Sequence, residues 1–150
     1  MKVEYGTSQD LESWMELVKK VRWNFPGLET EEALEDHRQT VLRFMAERRA
    51  LCVKNADHVI GVLLLSKKHN MICCLAVDPA FRRNGIASAL LEQALSELDR
   101  SGNITVTTFR EHDEKGTAPR ALYRRFGFTD GKLLTEFGYP VQEFVRRGKP

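Results

Sequence analysis

Apolar positions recur along this chain in two periods, and the switches between them outline its elements. Leu11, Trp14, Met15 and Val18 fall at i, i+3, i+4 and i+7, one helical stripe that Thr7 or Ser8 can cap and that runs to about Val21. Trp23-Asn24-Phe25-Pro26-Gly27 breaks that helix. Thr30, followed by Glu31 and Glu32, opens a second one that turns Leu34, Val41, Phe44 and Met45 inward and reaches about Arg48. The period then shortens. Ala50–Lys54, Val59–Ser66 and Met71–Val77 read as three strands joined by short turns, with Val3–Tyr5 as an earlier strand. The unbroken run Val62-Leu63-Leu64-Leu65 marks a central strand covered on both faces.

Helical spacing returns at Ile86, Leu90, Leu91, Ala94, Leu95 and Leu98, and Ser101-Gly102 ends it before the β-branched stretch Ile104–Phe109. The link from Val77 to Ile104 is long enough for a β-α-β crossover, which makes those two strands parallel. A short helix over Ala118–Phe126, opened from its first turn by Pro119 and stopped by Gly127, precedes two last strands at Leu133–Phe137 and Val141–Val145. The whole is a mixed α/β sheet with helices on both faces, expected as a single domain over residues 1–150.

Composition narrows the function classes. With 42% hydrophobic and 29% charged residues, the chain has an ordinary globular make-up. No apolar run approaches the roughly 20 residues of a membrane span, and Met1–Gly6 has no secretory pattern, so the expected location is cytoplasmic with no membrane partner. A formal charge of +2 and the absence of an aromatic-basic reader motif argue against a nucleic-acid partner. Cys52, Cys73 and Cys74 lack metal-ligand spacing and are expected to pack as small core residues, with no metal bound.

The candidate chemistry lies between the Met71 strand and the Ile86 helix. Arg82-Arg83-Asn84-Gly85-Ile86-Ala87 is a basic turn that feeds a helix N-terminus. First-turn amides have no intrahelical partner, and the helix dipole favours an anion there. Gly85 removes a Cβ from the approach of a ligand, Ala87 stays small, and two arginines add positive charge. A phosphate-bearing ligand held by main chain suits this arrangement, although a solvated surface turn has the same composition. The segment is neither a P-loop nor a G-x-G-x-x-G turn.

Arg82-x-x-Gly85-x-Ala87, preceded by Leu75-Ala76-Val77-Asp78-Pro79, resembles the Q/R-x-x-G-x-G/A motif of the GCN5-related N-acetyltransferase (GNAT) superfamily. Ala121-Leu122-Tyr123-Arg124-Arg125-Phe126-Gly127-Phe128 is similar to its A-x-x-L-Y-x-x-x-G-F type segment, and the element order matches from end to end. The resemblance implies the GNAT fold, with a mostly antiparallel sheet of about six to seven strands. It implies acetyl-CoA as cosubstrate, with its pyrophosphate on the amides of Arg83, Asn84, Gly85, Ile86, Ala87 and Ser88, beside Arg82. The backbone of Leu75, Ala76 and Val77 would pair with the pantetheine arm, and a bulge in that strand would aim an amide at the thioester carbonyl. Tyr123 matches the tyrosine that protonates the departing thiolate in many members. Those members often carry Asn seven residues earlier, where this chain has Gly116; Lys115 and Thr117 are neighbours that could take over its contact.

For the acceptor, the resemblance implies a primary amine, either a small molecule or a peptide or protein amine, attacking directly in a ternary complex. Trp23, Phe25, Phe137 and Tyr139 offer aromatic walls, and Glu29, Glu31, Glu32 and Glu136 offer negative charge, with Glu31 and Glu32 read first as helix N-terminal charge. Glu111, His112 and Asp113, just past the Ile104 strand, are candidate bases, with a solvated loop or water-mediated deprotonation as equal readings. The alternative function is an acyl-CoA-binding sensor without turnover, and a monomer and a homodimer both remain open.

Overall fold

A computed structural model describes residues 1–149 and holds a seven-stranded sheet in the order β1-β2-β3-β4-β5-β7-β6. The strands are β1 Val3–Tyr5, β2 Ala50–Asn55, β3 His58–Ser66, β4 Met71–Val77, β5 Ile104–Phe109, β6 Thr129–Glu136 and β7 Tyr139–Arg146. Neighbours are antiparallel except β4 and β5, which the crossover makes parallel. This is the mixed α/β sheet that the period changes predict.

Four α-helices cover it: α1 Leu11–Lys20, α2 Glu31–Ala46, α3 Ile86–Glu97 and α4 Thr117–Arg125. Trp14, Met15, Leu17 and Val18 of α1 meet Leu34, Val41 and Met45 of α2 over Cys52, Val62 and Leu64 on one face of the sheet. Leu90, Leu91 and Ala94 of α3 and Leu122 and Tyr123 of α4 cover Leu63, Leu65, Ile72 and Phe144 on the other. From Val59 to Ser66, β3 is buried residue after residue because α1 lies on one side of it and α3 on the other.

One glycine sets how close α3 can come. A Cβ placed on Gly61 would lie 2.6 Å from Ile86 Cγ2 and 3.1 Å from Leu90 Cδ1, so the first turn of α3 rests directly on the β3 backbone. Several boundaries differ from the sequence reading. Ser8–Asp10 forms a 3-10 turn before α1, anchored by the Thr7 amide donating to Asp10 Oδ2 at 2.9 Å. Strand β6 starts at Thr129 and β7 at Tyr139, because main-chain pairing carries them through polar residues that show no alternation. The turn between them is Phe137-Gly138, with φ of 50° and 77°.

Candidate active site

The loop from Asp78 to Ile86 is folded by its own side chains. Asp78 caps a 3-10 turn by accepting the Ala80 amide at 3.0 Å and pairs with Lys20 Nζ at 2.8 Å. Burial works against its charge, but those two partners outweigh it and hold the carboxyl below its usual range. Asn84 turns inward, Nδ2 donating to the carbonyls of Phe81 at 3.0 Å and Arg82 at 3.3 Å. Arg83 and Gly85 are left-handed, with φ of 67° and 75°, and Asn84 lies between them. Successive amides in such a sequence point into one concavity, an anion nest.

The first hydrogen bond of α3 runs from the Ala89 amide to the Gly85 carbonyl at 3.0 Å. Among the described residues, the amides of Arg82 through Ser88 have no protein acceptor. Arg82, Arg83, Asn84 and Gly85 are exposed, while Ile86 anchors the loop in the core. An exposed row of unpaired donors at a helix N-terminus, with Arg82 and Arg83 in the same loop, suits an anion with several oxygens.

The strand leading into this loop has a free edge. β4 pairs with β5 only at Met71↔Thr105 and Ile72↔Val106, then the two diverge, while β5 stays paired with β7 as far as Phe109↔Val141. Cys73 to Val77 therefore present unpaired main chain toward a widening slot, although β3 still pairs Leu75, Ala76 and Val77 on the other side. The register jumps from Leu65↔Ile72 to Leu64↔Cys74, which makes Cys73 the extra residue of a β-bulge. The bulge corrects one expectation. Lifted out of the ladder, Cys73 is exposed and is no core residue; Cys52 is buried and Cys74 half-buried. Burial pushes the thiols of Cys52 and Cys74 up to about 12, which leaves both unreactive at neutral pH.

Tyr123 lies on α4, near enough to Cys74 of β4 to feel its thiol. It is buried at 4% exposure against Phe128 and Phe144, with ring centroids 5.7 and 6.4 Å away. Among the described residues its hydroxyl has no hydrogen-bond partner. Burial, and then the neighbouring Cys74 thiol, push its pKa above the ordinary 10, so the phenol holds its proton and its donor is uncommitted. Helix α4 is fastened by Arg120, buried at 3% exposure. Its Nη1 donates to the Phe109 carbonyl at 2.9 Å and to Gln142 Oε1 at 2.7 Å, and its Nη2 pairs with Asp130 at 3.3 Å.

The acceptor candidates divide. The α1–α2 link lies over the same core face as Cys74 and Ala76, through Phe25 and Leu28. Phe25 stacks on His37 at 6.4 Å, and Trp23 is half exposed. Glu31 and Glu32 fall in the first turn of α2, where Thr30 Oγ1 accepts the Ala33 amide at 3.0 Å, as their helix-terminal reading requires. Of the three candidate bases, Asp113 has both oxygens engaged. Oδ1 accepts the Lys115 amide at 3.0 Å and Oδ2 accepts the Tyr139 hydroxyl at 2.5 Å. Glu111 and His112 are exposed and take no part in that network.

A matching protein family covers the stretch that holds this arrangement. The model of the Acetyltransferase (GNAT) family fits residues 12–128, which include the anion loop, the slot and Tyr123. The chain belongs to the GNAT family. Among curated proteins it is 33% identical over 69 residues to the [Ribosomal protein bS18]-alanine N-acetyltransferase of Escherichia coli K12, a match covering 46% of this chain and 45% of that protein. The aligned stretch is thus less than half the length of these relatives. The fold is shared over nearly full length with an acetyltransferase of Bacillus cereus (TM-score 0.73, 19% identity, 99% and 98% of the two chains). It is shared equally with a ribosomal-protein-alanine N-acetyltransferase of Brucella melitensis (0.71, 16%, 98% and 99%). A paia N-acetyltransferase of Thermoplasma acidophilum, solved in complex with coenzyme A, has the same fold (0.69, 17%, 95% and 96%).

Against this GNAT frame, the departure at position 116 has a local cause. Gly116 is buried, and a Cβ on it would lie 3.0 Å from Phe109 Cβ, 3.1 Å from Arg120 Cδ and 3.2 Å from the Arg110 carbonyl. Arg120 fills the space that a larger residue would need. Arg120, Gly61 and the Asp113–Tyr139 bond carry no signal in the sequence. A buried arginine looks like any helix-surface arginine until its partners from β5, β6 and β7 are in place.

Proposed function

We propose that this chain is an acetyl-CoA-dependent N-acetyltransferase that passes the acetyl group directly to a primary amine, with a peptide or protein amine as acceptor. One observation carries the reading: the unpaired amides of Arg82–Ser88 continue into the unpaired β4 edge at Cys73–Val77. Pyrophosphate and an amide-bearing arm need those two surfaces in that order. The arm's two amides can add to β4 as a short strand beside Leu75, Ala76 and Val77. The bulge at Cys73 turns main chain toward the point where the thioester would lie, so that an amide can stabilise negative charge growing on its oxygen. Tyr123 keeps its proton, lies near Cys74 of β4 and is the acid for the departing thiolate. The protein-amine acceptor is supported by the E. coli relative, which is named for acetylating an alanine of a ribosomal protein. We place the protein in the cytoplasm, as one domain, acting as a monomer or homodimer.

Titration with acetyl-CoA tests the first half, with a Kd in the micromolar range expected. No binding at high micromolar concentration would overturn it. A panel of amines and short peptides, followed by release of free thiol, tests the second half. The departure at Gly116 favours one other reading, an acyl-CoA sensor without turnover; binding with no thiol release from any amine would select it.

A further inference from the structure

The formal charge of +2 is a sum over two ends of the sheet that differ. Around the end where β4 begins, basic residues arrive from separate segments. Arg48 and Arg49 lead into β2, and Lys67 and Lys68 lie in the β3–β4 turn. Arg100 lies in the α3–β5 link, and Arg146, Arg147 and Lys149 end β7 and follow it. Hydrogen bonds hold these segments side by side. The Leu65 amide donates to the Arg49 carbonyl at 3.1 Å, and the Lys149 amide to the Arg100 carbonyl at 3.1 Å. Between them, Asn70 Nδ2 donates to the Asp99 and Asn103 carbonyls at 2.8 and 2.9 Å. From β2 to β7 the row crosses four strand spacings, about 19 Å.

Arg48, Lys67, Lys68, Arg100, Arg147 and Lys149 are exposed, and among the described residues none of them has an ion-pair partner. The carboxylates nearby are fewer and mostly turned to other groups. Glu97 accepts the Tyr5 hydroxyl and the Gln93 amide, Asp99 accepts the Ser101 amide and hydroxyl, and Asp130 pairs with Arg120 and Arg124, which leaves Glu47. Arg48 also stands where glycine is usual. It follows the C-cap of α2 with φ of 57°, and its guanidinium lies over the Tyr5 ring at 4.1 Å. At the opposite end of the same sheet the turns carry exposed Asp57, Glu111, Glu114 and Glu136.

The basic end has charge without an apolar centre. Among the described residues the exposed large hydrophobics are Met1, Trp23, Leu133 and Phe137, and none belongs to these segments. A protein partner would call for aromatic or apolar anchors, and a single-stranded nucleic acid for stacking platforms. A duplex backbone asks only for cations spread along it. We propose that the end of the sheet where β4 begins docks the phosphate backbone of a double-stranded nucleic acid. The seven residues of β4 set this end about 20 Å from the anion loop, so both can be occupied together. The summed charge that argues against a nucleic-acid partner conceals this segregation.

A labelled RNA duplex of about 20 base pairs, and the same sequence as DNA, are titrated with the protein and followed by fluorescence anisotropy. Micromolar binding is expected at about 50 mM salt, weakening about 10²–10³-fold by about 200 mM as four to six phosphate contacts are screened. Replacing Lys67 and Lys68 together by alanine should weaken binding about tenfold and lower the slope of log K against log salt by about two. Thermal unfolding and thiol release with a small amine should stay at wild-type values in that variant. Saturating acetyl-CoA should not displace the duplex. Displacement would put the duplex on the anion loop and overturn the proposal. So would an absence of binding, a slope unmoved by the lysine pair, or binding to anionic lipid vesicles or polyglutamate but to neither duplex. Tighter binding of RNA than of DNA supports RNA as the source of the backbone, and equal affinity supports recognition of phosphate alone. None of these outcomes bears on the transferase reading, which acetyl-CoA titration tests by itself.

Discussion

Gly61→Ala tests whether the anion loop is positioned by the packing beneath it. The added methyl would start 2.6 Å from Ile86 Cγ2, and ordinary contact begins at 3.4 Å, so α3 or β3 must yield by about 0.8 Å. Ile86 cannot turn away easily. It is β-branched, 4% exposed and the first residue of α3, and Leu90 one turn on is also in the way at 3.1 Å. Overpacking of a filled core costs about 1–3 kcal/mol. Alanine's better strand backbone returns about 0.5–1 kcal/mol of that. A net loss of up to about 2.5 kcal/mol is expected, a fall in Tm of up to roughly 10 °C for a chain this size. The displaced element carries Gly85, Ile86, Ala87 and Ser88, so acetyl-CoA affinity should drop along with stability. Urea unfolding followed by circular dichroism gives the first quantity and calorimetric titration of acetyl-CoA the second. A variant as stable as wild type that binds acetyl-CoA equally well would refute the claim that this contact sets the loop.

Three further outcomes follow from the site. Tyr123→Phe should lower kcat by about 10²–10⁴-fold with little change in acetyl-CoA affinity; because burial raises the phenol's pKa above 10, its own ionisation should cause no loss of wild-type rate below pH 10. Gly116→Asn should not tighten acetyl-CoA binding and should cost about 1–3 kcal/mol in urea unfolding, since the Arg110 carbonyl and Arg120 already occupy the space around position 116. His37 has a pKa lowered by burial, and its Nε2 lacks a partner among the described residues, so the folded state favours the neutral ring. The unfolded chain then takes up a proton that the folded one resists, and stability should fall as pH drops below about 6.5. His37→Gln should flatten that part of the pH–stability curve measured by urea unfolding.

The features legible in the residues alone are periodic or local. Spacing locates α1, α2 and α3 and the strands β2 to β5, since one face of each must leave water. The anion loop is legible because its chemistry lies in consecutive residues: Gly85 permits a left-handed turn and the amides of a first helical turn are always unpaired. Strand β6 is only half visible, because an edge strand wet along most of its length has no alternation to read. The splay of β4 from β5 is a relation between two strands, and no residue of either announces it. Likewise, Cys73 has the neighbours of a core residue in sequence, while the bulge that exposes it depends on the register with β3. Arg120 and Asp113 join segments up to 26 residues apart in sequence. Which elements form, and where helix-end amides run free, can be read from the residues because backbone propensity, apolar period and helix-end donors are short-range properties. Which of those donors stay free and which strand edge stays unpaired depend on distances between segments that the sheet order brings together, and so are fixed only in the folded chain.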